Sequence, residues 1–312
     1  MQYYLAPLEG ITTRIYRRVY HDCFTPMDKY FTPFLSPHLK KGFSAKEKAE
    51  IWPENNQGMR LVPQILTNRA EDFFKTEEKL ICYGYEEINL NLGCPSKTVV
   101  SKGRGSGFLA DPEGLDRFLD KLFSGTKVRI SIKTRIGKDE PEEFGRLLEI
   151  YNQYPLEELI IHPRVQKDFY KNKPNQEVFE EAAKACACPL CYNGDIFTKE
   201  DAAVIEDRFP EAGALMIGRG IIANPGLLNE IKGQGTAGRE ALRRFHDRLY
   251  EEYQSLGMGD KNVLFKMKEI WCYLGQSFPG CGRQLKSIKK AEKPDRYEEA
   301  VRRCFEEAQL QD

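Results

Sequence analysis

A thiol stands where an alternating run gives way to a loop. The run Glu87-Ile88-Asn89-Leu90-Asn91-Leu92 reads as a buried strand, and Gly93-Cys94-Pro95-Ser96 follows it. Beyond lies a stretch of glycine and cation: Lys97, Lys102, Gly103, Arg104, Gly105 and Gly107. A thiol so placed could be a nucleophile, a metal ligand or a redox sensor. No base stands beside it in the sequence, and no ligand set around it has metal spacing.

Polar groups recur at the ends of similar runs. Gln64 lies in Val62-Pro63-Gln64-Ile65-Leu66, Lys133 and Arg135 in Ile132-Lys133-Thr134-Arg135, and His162 closes Leu159-Ile160-Ile161-His162. Asn193-Gly194-Asp195 and Gly218-Arg219-Gly220 follow two more. Glycines there let backbone N–H groups approach an anion and Arg219 adds charge, a pattern suited to a phosphate. Lys133 and Gln64 could address a polar ring system attached to that phosphate. Each has a bland reading too: Lys133 as the ion-pair partner of Glu9, His162 as a satisfied core histidine, Cys94 as a small hydrophobe. Their joint occurrence at six consecutive run ends favours one shared site.

These residues need a frame that brings strand ends together. Apolar runs at Tyr3–Ala6, Lys29–Thr32, Leu61–Leu66, Glu87–Leu92, Val128–Thr134, Glu158–His162, Leu190–Asn193 and Ala214–Ile217 alternate with segments of helical period, such as Leu115, Phe118, Leu119 and Leu122. Eight strands alternating with helices over about 220 residues predict a closed parallel (β/α)8 TIM barrel, with functional groups at the C-terminal strand ends. Thr32–Met59, rich in proline and lysine, reads as an irregular excursion. From Arg239 the pattern is helical only: Leu242, Phe245, Leu249, Tyr253 and Leu256 on one face, Leu264, Met267, Trp271, Leu274 and Phe278 on another, and Tyr297, Val301, Cys304 and Ala308 last. The expected domains are a barrel over 1–232 and a small all-α domain over 239–312.

Two tempting motifs are set aside. Gly233-Gln234-Gly235-Thr236-Ala237-Gly238 matches G-x-G-x-x-G but follows a helical stretch, so it reads as a linker. Cys186-Ala187-Cys188-Pro189-Leu190-Cys191 leads into a strand and reads as small apolar residues at a turn, and Cys281 as a turn residue. The chain of 312 residues is 41% hydrophobic and 30% charged with a net charge of zero, values of a soluble globular protein. No apolar run is long enough to span a membrane, no secretory leader is visible at Met1, and nine scattered cysteines suggest a reducing cytoplasm.

Five blocks resemble the tRNA-dihydrouridine synthases, in that family's order: Leu5-Ala6-Pro7-Leu8-Glu9-Gly10-Ile11-Thr12, Asn91-Leu92-Gly93-Cys94-Pro95-Ser96, Ile132-Lys133-Thr134-Arg135, Asn193-Gly194-Asp195-Ile196 and Met216-Ile217-Gly218-Arg219-Gly220. The resemblance covers residues 3 to 226, and the G-C-P-S block is its most specific part. It implies an FMN-binding barrel. Pro7, Leu8 and Glu9 would line the flavin, Gln64, Lys133 and His162 would bond its ring, and Asn193, Gly194, Asp195, Gly218 and Arg219 would hold its phosphate. It further implies reduction of the uracil C5=C6 bond in tRNA, with hydride from flavin N5 to C6, a proton from Cys94 to C5, and NADPH or NADH as reductant. Asn91 and Arg135 would bind the uracil edge, Tyr170 would stack or hydrogen-bond near the target nucleotide, and Lys97 and Arg104 would meet the RNA.

Departures from the family pattern are Leu8 where methionine is common, and Pro163 and Val165 after His162 in place of a small residue and a threonine. The region Lys261–Lys290 holds seven cations, Lys261, Lys266, Lys268, Arg283, Lys286, Lys289 and Lys290, against Glu269 alone. That is a suitable electrostatic footprint for tRNA. The expected protein is a monomer without a metal. Two other readings share parts of this set: an FMN barrel acting on a free pyrimidine, like dihydroorotate or dihydropyrimidine dehydrogenases, and a tRNA-binding protein with a residual flavin site.

Overall fold

The computed structural model describes residues 1–37 and 42–307; Ala308, expected on the last helical face, lies outside them. Nine strand segments form one all-parallel sheet: β1 Gln2–Leu5, β2 Lys29–Phe31, β3 Leu61–Val62, β4 Gln64–Ile65, β5 Glu87–Leu92, β6 Arg129–Arg135, β7 Glu158–His162, β8 Leu190–Tyr192 and β9 Ala212–Ile217. Their order is β3-β2-β1-β9-β8-β7-β6-β5-β4. The two ends of that order are halves of one strand interrupted at Pro63, so the sheet closes on itself with eight strand positions. Proline cannot donate to the ladder. Instead its carbonyl accepts from Asn89 N at 2.9 Å, and the Gln64 N–H turns to Thr32 Oγ1 at 2.9 Å. All eight expected strands are present, with ends shifted by a residue or two. The expected irregular excursion differs: Ser44 and Glu47 form a capping box that starts a helix at Ala45–Ile51, and Pro53–Asn56 is a 3-10 turn.

The strand alternation explains what fills the barrel. On β5 all six residues are buried. Glu87, Asn89 and Asn91 share one face and hydrogen-bond across the interior, whereas Ile88, Leu90 and Leu92 take the other. Tyr4, Phe31, Val62, Ile160, Cys191, Ala214 and Met216 make an apolar cluster. At the N-terminal strand ends Lys29 Nζ sits 3.0 Å from Glu87 and 3.4 Å from Glu158. Tyr4 OH donates to Glu158 at 2.8 Å, Ser131 Oγ to Glu87 at 3.2 Å, and Asn89 Nδ2 to Ser131 Oγ at 3.0 Å. Buried ions are tolerable only when paired and further hydrogen-bonded in this way. Burial still pushes the Glu158 carboxyl above its ordinary range, against the pull of Lys29.

The chain separates into two compact units. The first comprises Met1–Pro7, Asp28–Asp195 and Val204–Ile217 and contains every strand; the second comprises Leu8–Met27, Ile196–Ala203 and Gly218–Asp312. Within the second, the helix Arg14–Cys23 packs on the helix Arg239–Ser255 through Tyr16 and Phe24 edge-on to Phe245, at 5.6 and 5.3 Å between centroids. Helices Asp260–Leu274, Gly282–Lys290 and Pro294–Glu307 complete it. Its core is aromatic, with Trp271 Nε1 donating to Tyr297 OH at 2.9 Å and His246 Nε2 paired with the same hydroxyl at 2.7 Å. The expected faces are buried except Leu256, which lies past the end of its helix and is exposed.

Candidate active site at the barrel mouth

The turn that carries Cys94 is built by Asn91. Its Oδ1 accepts from Gly93 N at 3.1 Å and from Cys94 N at 2.9 Å, and its Nδ2 donates to Gln64 Oε1 at 2.7 Å. Gln64 Nε2 donates in turn to Asn89 Oδ1 at 2.8 Å. A side-chain oxygen bonding the backbone two and three residues on is the ordinary way asparagine shapes a turn. Asn91, expected at the uracil edge, is therefore first a brace for the thiol.

The following stretch is folded rather than loose. Lys97–Val100 makes a helical turn and Gly105–Ala110 a 3-10 turn. Ser106 bonds the Cys94 carbonyl twice, from N at 3.1 Å and from Oγ at 2.9 Å. Gly105 adopts φ +55°, and a Cβ there would lie 2.7 Å from the Cys94 carbonyl oxygen. Only glycine permits both the conformation and the approach. Lys97 is exposed, whereas Arg104 is half-buried and its Nε is buried without a hydrogen-bond partner.

Across the ladder Lys133 is the register partner of Asn91 and Arg135 that of His162. Among the described residues the Lys133 ammonium has no hydrogen bond or ion pair. Burial, then the nearby Arg135 charge, pulls Lys133 down to about 8. A buried cation without a hydrogen bond or ion pair is expensive.

Arg135, expected at the uracil edge, is bonded to three backbone carbonyls. It is 1% exposed, and its Nε, Nη1 and Nη2 donate to the carbonyls of Gly93, Val165 and Phe169 at 3.0, 2.9 and 2.8 Å. It ties the Cys94 turn to the segment after β7. Phe169 is the one non-glycine residue with positive φ among those described, at +52°, where it presents its carbonyl to Arg135. Tyr170, half-exposed, lies beside this tie: its ring is 5.5 Å from the Arg135 guanidinium and 5.9 Å from the His162 ring.

One residue escaped sequence reasoning. Arg164, 2% exposed, donates to both Asp195 oxygens at 3.0 and 2.5 Å and to His162 Nε2 at 3.0 Å. An arginine only donates, so Nε2 accepts and the neutral ring carries its proton on Nδ1. Asp195, expected at the phosphate, is engaged by Arg164. The available signal was an arginine two residues past a strand-end histidine.

Asn193 Nδ2 donates to the Met216 carbonyl at 2.7 Å, and a Cβ on Gly194 would overlap the Tyr192 hydroxyl. Gln64, Asn91, Cys94, Lys133, Arg135, His162, Asn193, Gly194 and Asp195 belong to the barrel unit and lie on or just past the later parts of its strands, with Pro7 after β1 and Tyr170 after the 3-10 turn Gln166–Asp168 that follows β7. Leu8, Glu9, Gly218 and Arg219 belong to the second unit. There Leu8 N donates to Thr12 Oγ1 at 2.7 Å, Gly10 takes φ +79° and receives Lys266 Nζ on its carbonyl at 3.2 Å, and Arg219 lies 5.5 Å over the Phe197 ring.

Comparison with known proteins decides the family. The family described as Dihydrouridine synthase (Dus) matches residues 4–308. This chain belongs to the dihydrouridine synthase family. The tRNA-dihydrouridine synthase B of Pasteurella multocida (strain Pm70) is 28% identical over 225 residues, 72% of this chain and 67% of that protein. A probable tRNA-dihydrouridine synthase of Staphylococcus aureus (strain COL) is 29% identical over 260 residues, 80% of this chain and 77% of its own. Among solved structures, morphinone reductase superposes with a TM-score of 0.52 at 15% identity, over 75% of this chain and 86% of that one. That likeness shows a shared barrel. As a dihydrouridine synthase the protein is a flavin-dependent oxidoreductase. Among the described residues no helix is long and apolar enough to cross a membrane, and no cluster of three His, Cys, Asp or Glu could hold a metal.

Proposed function

We propose that this protein reduces uridines in tRNA to dihydrouridine, with Cys94 as the proton donor. The observation that carries this is the pairing of a fixed thiol with an unpartnered lysine on the adjacent strand. Cys94 hangs from a turn closed by Asn91, and Lys133 stands opposite Asn91 with no hydrogen bond or ion pair among the described residues. The barrel unit fits FMN: Pro7, Gln64, Lys133, His162, Asn193 and Gly194 would hold it, with Lys133 at the ring edge that becomes anionic on reduction. When bound, FMN supplies the hydride to uracil C6, and NADPH or NADH restores it.

The residues of this chain then do the remaining work. The thiol of Cys94 gives its proton to C5, where charge builds as C6 is reduced. Asn91, Ser106 and Arg135 hold the Cys94 backbone so that the sulfur is placed before substrate arrives. Arg164 holds His162 in one tautomer with Nδ1–H as donor. Tyr170, exposed beside His162, offers a face to the target nucleotide, which must leave its stack to reach the barrel. Lys97 and Arg104 meet the RNA backbone.

We assign the barrel to residues 1–232 and tRNA binding to 239–312, in a cytoplasmic monomer. In the helical unit Lys261, Lys268, Arg283, Lys286, Lys289 and Lys290 have no ion-pair partner among the described residues; Lys266 is bonded to Glu269 and Gly10. Unpaired cations release counterions on meeting phosphate. The test is turnover of purified protein with FMN, NADPH and unmodified tRNA, read by nucleoside analysis. Dihydrouridine in tRNA, with none from free uracil or uridine, supports the assignment. Reduction of the free pyrimidine alone would replace it with the rival barrel reading.

A further inference from the structure

Between the helix Gln176–Ala185 and β8 the chain runs Cys186-Ala187-Cys188-Pro189. Here the expectation of small packing residues falls short. The Cys186 and Cys188 sulfurs lie 3.4 Å apart and both residues are part-exposed, whereas Cys191 is buried in the barrel. The turn is clamped: Asn152 Nδ2 donates to Ala185 O and its Oδ1 accepts from Ala187 N, each at 2.9 Å, and Cys186 N donates to Ala182 O at 2.8 Å. The two thiols are therefore held face to face. The sulfur–sulfur contact pulls the Cys186 thiol below the ordinary range; the same contact, burial and the nearby Glu158 charge push Cys188 up. Two part-exposed thiols in contact, one of them acidified by the other, have the parts of an exchange site.

We propose that Cys186 and Cys188 form a vicinal dithiol that reduces small disulfides and is itself closed to a Cys186–Cys188 disulfide. The Cys186 thiolate attacks one sulfur of RS–SR; the Cys186–SR bond forms, the S–S bond breaks, and RS⁻ leaves and is protonated. Cys188, losing its proton to solvent, attacks Cys186 Sγ and expels the second RS⁻. Two electrons and two protons pass from the dithiol to the small disulfide, which is the oxidant. Closure shortens the S···S distance by about 1.4 Å, from 3.4 Å to the ~2.05 Å of a disulfide. Exposed disulfides of this kind are the labile ones, so the pair should open and close reversibly. The site lies at the start of β8, whereas Asn193 lies past its end, and nothing in it rests on the flavin reading.

The test equilibrates the full-length protein in glutathione buffers of graded ratio, quenches in acid, alkylates in denaturant and maps tryptic peptides by mass. The peptide 185–199 holds Cys186, Cys188 and Cys191. In excess oxidised glutathione it should carry one label rather than three and be two hydrogens lighter, and added reductant should restore all three. Cys188→Ser should trap glutathione on Cys186, and Cys186→Ser should abolish closure and form adducts at least tenfold more slowly. Three labels at every ratio, closure through Cys191, or wild-type reactivity in Cys186→Ser would each overturn the proposal. The unsubstituted protein decides the first two points whatever the variants do.

Discussion

Lys133→Met should stabilise the flavin-free protein while weakening its hold on flavin. Burial holds the lysine at about 8 rather than 10.5, a shift worth roughly 3 kcal/mol at 1.36 kcal/mol per unit. The residue is part-exposed, so screening reduces the expected gain to about 1–2 kcal/mol. The sign follows from linkage. Below pH 8 the folded protein carries the buried charge and bears its full cost. Between pH 8 and the unfolded value near 10.4 the folded lysine is already neutral, the unfolded one is not, and the cost fades. Methionine, of similar length and uncharged, should therefore raise the urea midpoint at pH 7 by about half a molar, with the advantage gone by pH 10.5. Flavin affinity should fall ~10–100-fold, the worth of a hydrogen bond to a charged group. Equilibrium urea unfolding of apoprotein at pH 7 and 10.5, with flavin titration alongside, checks both. Destabilisation at pH 7 would show that Lys133 already has a partner, and the argument from an uncompensated cation would fail.

Other sites give sharp expectations. Gly105→Ala should lose about 1–2 kcal/mol from its φ alone, and because its Cβ would meet the Cys94 carbonyl, dihydrouridine formation should drop at least tenfold at temperatures where thermal denaturation shows it folded. Lys29→Met leaves two buried carboxylates facing each other and should cost about 3–5 kcal/mol in denaturant unfolding. Adding Glu158→Gln should recover part of that loss. The raised Glu158 carboxyl contributes stability that is fully present below its unfolded value and is lost as pH rises through the folded one, so Glu158→Gln alone should flatten the stability–pH curve in that window. Lys286→Gln with Lys290→Gln should weaken tRNA binding and lower the log–log salt slope by roughly 1–2, measured by filter binding across salt series, with flavin content unchanged.

Much of the fold was legible because six consecutive apolar runs carry polar residues at or just past their ends. That pattern needs a core on one side and a mouth at one end, and the parallel barrel supplies both. Pro63 inside the third run already signalled the break that splits it. Side-chain direction was less visible. Asn91 and Arg135 stood at the right strand ends, but only the folded backbone shows that they hold the Cys94 turn. Arg164 went unseen because buried arginines announce themselves through partners, Asp195 and His162, that are distant in sequence. The helix at Ala45–Ile51 had its signal in Ser44 and Glu47, masked by the surrounding prolines and lysines. That the segment Leu8–Met27 packs with the C-terminal helices rests on Tyr16, Phe24 and Phe245, whose encounter no local pattern encodes.

The central claim is that Cys94 delivers the proton to C5. The most direct measurement is single-turnover oxidation of the pre-reduced enzyme by unmodified tRNA, followed by flavin absorbance, for wild type and Cys94→Ala. Loss of a general acid should slow the step by about 10²–10⁴-fold, with tRNA affinity and flavin content within a factor of two. A Cys94→Ala enzyme that reduces tRNA within threefold of the wild-type rate would contradict the account and return the thiol to a packing role.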